Sequence, residues 1–131
     1  MNQPNPLLVA SSLLFTFPMT MGAINRQWNL YFTFLLLTII SSLYHATKNK
    51  YLLPIDYTAC YLILYVMYEH TKTDYPICFI IGSGSCATLF WGGYATKRLI
   101  FSPHSVEKNV SHVLMHLIVV STGCAASYLI P

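Results

Sequence analysis

Five apolar stretches run along this chain, each divided from the next by a short polar one. The first, Leu7 to Ile24, follows a polar, proline-bearing MNQPNP that reads as loose chain. The others are Leu30 to Ala46, about Pro54 to Tyr68, Tyr75 to Tyr94, and Ser105 to Tyr128 or Leu129. An α-helix of ~20 mostly apolar residues crosses ~30 Å of hydrocarbon. The pattern therefore predicts an all-α, polytopic transmembrane helical bundle of about five spanning helices, with residues 1–131 as a single transmembrane domain.

Local chemistry sharpens these elements. No Lys or Arg precedes the first run and no small-residue cleavage site closes it, so it reads as a retained helix and not a signal peptide. Pro18 predicts a kink in it. Trp28 and Tyr31, Tyr65 and Tyr68, and Trp91 and Tyr94 stand at run ends, where amphipathic rings anchor a span to the interface. Gly82 to Ala87 offers little bulk, which lets helix backbones approach closely in lipid. Glu69 to Asp74 reads as aqueous loop, and Ser105 as an N-cap with Glu107 in the first turn behind it.

Composition agrees: 55% of residues are apolar and 8% charged, far from a soluble average. The net charge of +3 resides in loops, so it signals topology and not nucleic acid binding, and membrane lipids are the expected partners. If every run crosses, Lys48, Lys50, Lys97, Arg98 and Lys108 share one face against Arg26 and Lys72 on the other, a five-to-two bias. The positive-inside rule makes the richer face cytosolic, with the N-terminus inside and the C-terminus outside or lumenal. Cys60, Cys78, Cys86 and Cys124 show no Cys-x-x-Cys spacing and read as small residues filling helix contacts.

Polar chemistry gathers at Ser41 to Asp56, SSLYHATKNKYLLPID. Ser41 and His45, four residues apart, share a helix face, and Asp56 falls in the opening turn of the next helix after Pro54. His112 and His116 repeat the spacing on the last run. Two crossings separate the hairpin from the last run, so His45, Asp56 and His112 fall on one side, with His116 one turn, about 6 Å, deeper. Each residue alone has a plain reading: His45 capping its helix, Asp56 answering a helix dipole, Ser41 bonding back to its own helix. Two histidines on one intramembrane face need polar partners, and convergence favours a buried metal site. His70 and His104 read as loop residues without a role.

Three neutral imidazoles and a water form the usual open zinc site, whereas structural zinc closes its fourth position with protein. Zinc lowers the pKa of its water to about 7 and polarises a carbonyl. Asp56 could then accept the water's proton, and Ser41 could hold the water or stabilise the oxyanion.

The ordered set Ser41, His45, Asp56, His112 and His116 resembles the CREST superfamily of membrane hydrolases, which includes alkaline ceramidases, progestin and adiponectin receptors and GPI-lipid remodelling proteins. The resemblance implies Zn2+ held by His45, His112 and His116, with Asp56 and Ser41 near its water, and hydrolysis of a lipid amide or ester, ceramide-like amides first. Members of that superfamily usually have seven spans against the five expected here. Alkaline ceramidases also carry an acidic calcium site near the N-terminus, and no Asp or Glu precedes Asp56 in this chain. The alternatives from other classes are a receptor-like module whose zinc only ties helices together, and a channel-like one whose polar cluster lines a pore.

Overall fold

The structure, a computed structural model, describes residues 4–129. Its helices are α1 (Pro6–Leu13), α2 (Thr16–Ile24), α3 (Trp28–Thr47), α4 (Leu52–Thr71), α5 (Pro76–Ala87), α6 (Gly93–Thr96) and α7 (Ser105–Leu129). α1 and α2 form one broken rod, and α5 runs through a π-helical turn, Thr88–Gly92, into α6 as another. There are no strands among the described residues. The all-α bundle and its five long helical segments are thus present, with ends within a few residues of those expected.

Four of the five, Pro6–Ile24, Trp28–Thr47, Pro76–Thr96 and Ser105–Leu129, are long and apolar enough to cross a membrane. α4 equals α3 in length at 20 residues. Asp56, Glu69, His70 and four tyrosines leave it outside that set of four. Going round the bundle, α1 and α2 pack on α3, α3 on α4, α4 on α5, α5 on α7, and α7 returns to α1 and α2. Only four residues join α3 to α4, so the two pack as an antiparallel hairpin.

The core sits where Phe15, Leu30, Phe34, Leu37, Ala59, Ile63 and Met67 meet. Outside it, large apolar side chains face outward on every long helix, among them Phe17, Phe32 and Ile81, each more than 60% exposed. Soluble monomers rarely expose apolar surface so extensively. A bundle whose outer face meets hydrocarbon has no such restriction, and its helices associate by close packing and interhelical hydrogen bonds. Gly82 shows the packing device, since a Cβ added there would collide with Thr122 of α7, while Gly84 two residues on faces open space.

Pro18 breaks the first rod one turn upstream of itself. It has no N–H to offer the Leu14 carbonyl four residues back, and its ring crowds that group. The chain tightens there, with Leu14 N–H donating to Ser11 O at 3.2 Å and Phe15 N–H to Ser12 O at 3.1 Å. The four-residue α6 ends at Lys97, whose φ of 55° is left-handed, and Leu99 at 58° turns the loop back.

Several expectations need correction. The N-terminal stretch is not loose where it is described: Asn5 Oδ1 accepts from the N–H groups of Leu7 and Leu8 at 3.1 and 3.3 Å, an N-cap with Pro6 at the first helical position. Residues 1–3 of that stretch lie outside the described residues. α4 begins at Leu52, so Asp56 stands one turn further in than the opening turn, too deep to serve the helix dipole. His70 lies in the last turn of α4, because Glu69, His70 and Thr71 continue the helix. Ser105 is the first helical residue of α7 and not the flanking cap. Glu107 does lie in the first turn as expected, and its carboxylate also holds the preceding loop, accepting from Arg98 Nε at 2.9 Å, Leu99 N–H at 3.0 Å and Ser102 Oγ at 2.8 Å.

Candidate metal centre

The last turn of α3 and the third and fourth turns of α7 meet at one end of the bundle, and there His45, His112 and His116 come together. Their ligand atoms all lie within 4.8 Å of one another. Ring centroids are 4.7 Å apart for His45 and His112, 4.8 Å for His112 and His116, and 5.6 Å for His45 and His116. His45 is wholly buried and His116 nearly so, while His112 is half-buried toward the bundle end.

α1 supplies what holds His116. Ser11 Oγ lies 2.7 Å from His116 Nδ1 and 3.0 Å from the Leu8 carbonyl. A hydroxyl has one proton. We assign it to Leu8 O, so His116 Nδ1–H donates to Ser11 and the ring's Nε2 keeps its lone pair. A histidine that ligates a metal almost always donates its other ring N–H in this way. Phe15 covers the same ring from the break between α1 and α2, centroid to centroid at 5.0 Å.

His45 is held differently. The Lys48 ammonium, 3.2 Å away, donates to His45 Nδ1, which leaves the proton on Nε2, and that buried atom has no hydrogen-bond partner. Lys48 has φ 51°, a left-handed residue that ends α3 with its N–H donating to Tyr44 O at 2.7 Å. This turn sends the lysine stem back along the helix, and its Nζ also sits 5.0 Å from the centre of the Tyr44 ring. Lys48 is held below the ordinary lysine range by burial, with Lys108 adding to the effect and Asp56 opposing it.

Ser41 and Asp56 form the adjoining half of the cluster. The Ser41 hydroxyl stands beside the Asp56 carboxyl and 3.0 Å from Ser12 Oγ, which also bonds to Leu8 O at 2.8 Å. Asp56 is 6% exposed, and its Oδ1 has no hydrogen-bond partner. A run of polar groups therefore links Asp56 and Ser41 through Ser12 to the turn of α1 that carries Ser11, and from Ser11 across to His116 of α7.

The donor set suits a metal ion. Zinc binds imidazole nitrogen at 2.0–2.1 Å, which places tetrahedral ligands ~3.4 Å apart. The three ligand atoms, within 4.8 Å of one another, would have to draw closer to reach that spacing. His116 would offer its Nε2, and His45 a ring nitrogen that the Lys48 contact and the partnerless Nε2 leave to be decided when the ion enters.

Three residues at this site were not singled out in the sequence. Asn5 ties its elements together, its N–H donating to the His45 carbonyl at 3.0 Å and its Nδ2 to Asn109 Oδ1, one turn before His112, at 2.9 Å. The signal available was Asn5-Pro6 ahead of an apolar run, a helix-start signature. Ser11 and Ser12, adjacent hydroxyls within an apolar run, were equally visible, but each has an ordinary use bonding back to its own helix.

Two cavities bear on access. An open groove of about 600 Å³ between α5 and α7 is lined by Ile80, Gly84, Ser85, Thr88, Leu114 and Ile118 among others. A second, about 350 Å³, lies at the other end, against Arg26 to Leu30 and His70. Neither is lined by any of the three histidines, Ser41 or Asp56. No protein family, curated protein or solved structure matches the chain. The site's chemistry stands on its own geometry.

Proposed function

We propose that this protein is a zinc-dependent intramembrane hydrolase that cleaves a lipid amide or ester, with ceramide-like lipids the first candidates. In this reading α4 crosses the membrane as a fifth span and the site faces the cytosolic leaflet, as the basic loops favour. The observation that carries the proposal is the meeting of three imidazoles from two helices, one of them held at Nδ1 by Ser11.

His45, His112 and His116 would hold the ion, which when bound supplies a Lewis acid for the substrate carbonyl and an acidified water for attack. Asp56 would take up the proton released at its partnerless Oδ1 and return it to the leaving group. Ser41, within reach of Asp56 and Ser12, would donate toward the developing oxyanion. Burial of the histidines in an apolar bundle suits a substrate that arrives from lipid.

One observation favours a second reading. The two cavities described do not reach the histidines, as befits a zinc clasp that joins α3 to α7 without turnover. Asp56→Asn separates the two. It keeps shape and hydrogen-bonding reach while removing the base, so zinc content should stay near one per chain while turnover of ceramide or phospholipid falls by a factor on the order of 10² or more. Zinc content unchanged in a His112→Ala, His116→Ala double variant would refute the site. Firmly bound zinc with no lipid cleaved by the wild type would leave the clasp.

A further inference from the structure

Lys48 occupies a position that a metal-bound His45 cannot share with it. Its ammonium donates to His45 Nδ1 at 3.2 Å and rests 5.0 Å from the Tyr44 ring centre, while His45 Nε2 lies buried without a partner. An imidazole that ligates a metal through one nitrogen carries its proton on the other. If Nδ1 takes the ion, the ammonium must leave that lone pair. If Nε2 takes it, Nδ1 acquires a proton and faces the ammonium donor to donor. Both routes expel Lys48.

We infer that Lys48 is an internal cation that guards the centre, seated on His45 when the metal is absent and displaced when it enters, so that lysine and metal compete for one histidine. The inference rests on the metal-binding part of the proposed function and on none of its hydrolytic part. His116 needs no such exchange, because Ser11 already accepts from its Nδ1. The centre is therefore half prepared: α7 offers a lone pair, and α3 offers one only after its terminal lysine moves. The position of Lys48 suits that movement. It is the left-handed residue closing α3, at the start of the four-residue link to α4, and its stem can turn toward water without disturbing a helix. Lys108, whose charge acts on Lys48, adds a second cation to the rim and favours departure once a dication arrives.

The test is zinc affinity of the full chain in nanodiscs, measured by competition with a chromophoric chelator. Lys48→Met should bind zinc about tenfold to a hundredfold more tightly than wild type, the range for removing a charge-assisted hydrogen bond that binding must break. Lys48→Gly guards against misfolding, because φ 51° is a conformation glycine adopts freely, and it should tighten binding equally. Lys50→Met removes a neighbouring charge that lies against Tyr51 and should change little. Unchanged or weaker zinc binding in both Lys48 variants, or equal tightening in Lys50→Met, would overturn the inference and leave the metal site standing. Absence of zinc binding in wild type and variants alike would overturn both.

Discussion

Ser11→Ala removes one hydroxyl from a 4% exposed position and leaves His116 Nδ1, itself in a 7% exposed residue, without its 2.7 Å partner. Two effects follow, and they differ in size. Interhelical hydrogen bonds within membrane proteins contribute about 0.6 kcal/mol on average and at most about 1.7, because the alternative states also find partners. Stability of the metal-free protein should therefore fall by no more than about 1.5 kcal/mol. The effect on the metal should be larger. Without an acceptor at Nδ1 the ring no longer favours the tautomer whose Nε2 lone pair faces the cluster, and loss of such a supporting partner weakens metal affinity about 10- to 100-fold. Ser12→Ala is the matched control: it is one residue along, fully buried, and bonds Leu8 O and Ser41 Oγ but no histidine. Chelator competition on both variants, with thermal unfolding of the metal-free forms, separates the terms. Wild-type affinity in Ser11→Ala, or the same loss in Ser12→Ala, would refute the assignment of His116's proton to Nδ1.

The remaining predictions concern the bundle. Gly82→Ala should destabilise it by about 1–3 kcal/mol, the scale of overpacking, because the new methyl meets Thr122, whereas Gly84→Ala should be neutral in a thermal unfolding assay. In a background lacking Cys60, Cys78, Cys86 and Cys124, a membrane-impermeant maleimide should label Lys50→Cys and Lys72→Cys from opposite sides; labelling from one side only would mean that α4 does not cross.

Periodic apolar runs made the helices legible, since each segment had only to be long and greasy enough to be recognised. Boundaries were less so, and the reasons are particular. Glu69, His70 and Thr71 read as water-facing, yet they prolong α4 because a helix end costs unsatisfied carbonyls wherever it falls, and Thr71 is wholly buried with its hydroxyl on Met67 O at 2.8 Å. Asp56 appeared to start a helix because Pro54 precedes it. Proline tolerates any position of the first turn, and here it sits third, which carries Asp56 inward. Among the site residues, the histidines stood out because imidazoles are rare in apolar runs. Ser11 and Lys48, which meet the Nδ1 atoms of His116 and His45, did not. A serine in a span and a lysine after one are both ordinary, and only the folded arrangement shows which nitrogen each one meets.

The break in the first rod connects these observations. Pro18 cannot make the four-residue bond to Leu14 O, which accepts from Phe17 N–H at 3.1 Å instead, and this tightened turn divides an eight-residue α1, which lies against the histidine end of α3 and α7, from α2, whose Pro18 and Gly22 pack toward the Phe34 core and the α3 entry. Ser11 and Ser12 fall in the last turn before the break, with their hydroxyls bonding back to the Leu8 carbonyl. At its other end α1 is fixed by Asn5, which reaches the backbone of His45 and the side chain of Asn109. A short helix pinned at both ends has little freedom to rotate, so its two serines are delivered to α7 and α3 respectively, one to His116 and one to Ser41. The proline that reads as a kink thus also sets the length of the element that orients the site. A straight span in its place would have to satisfy packing on Phe34 and contact with His116 with a single helix direction.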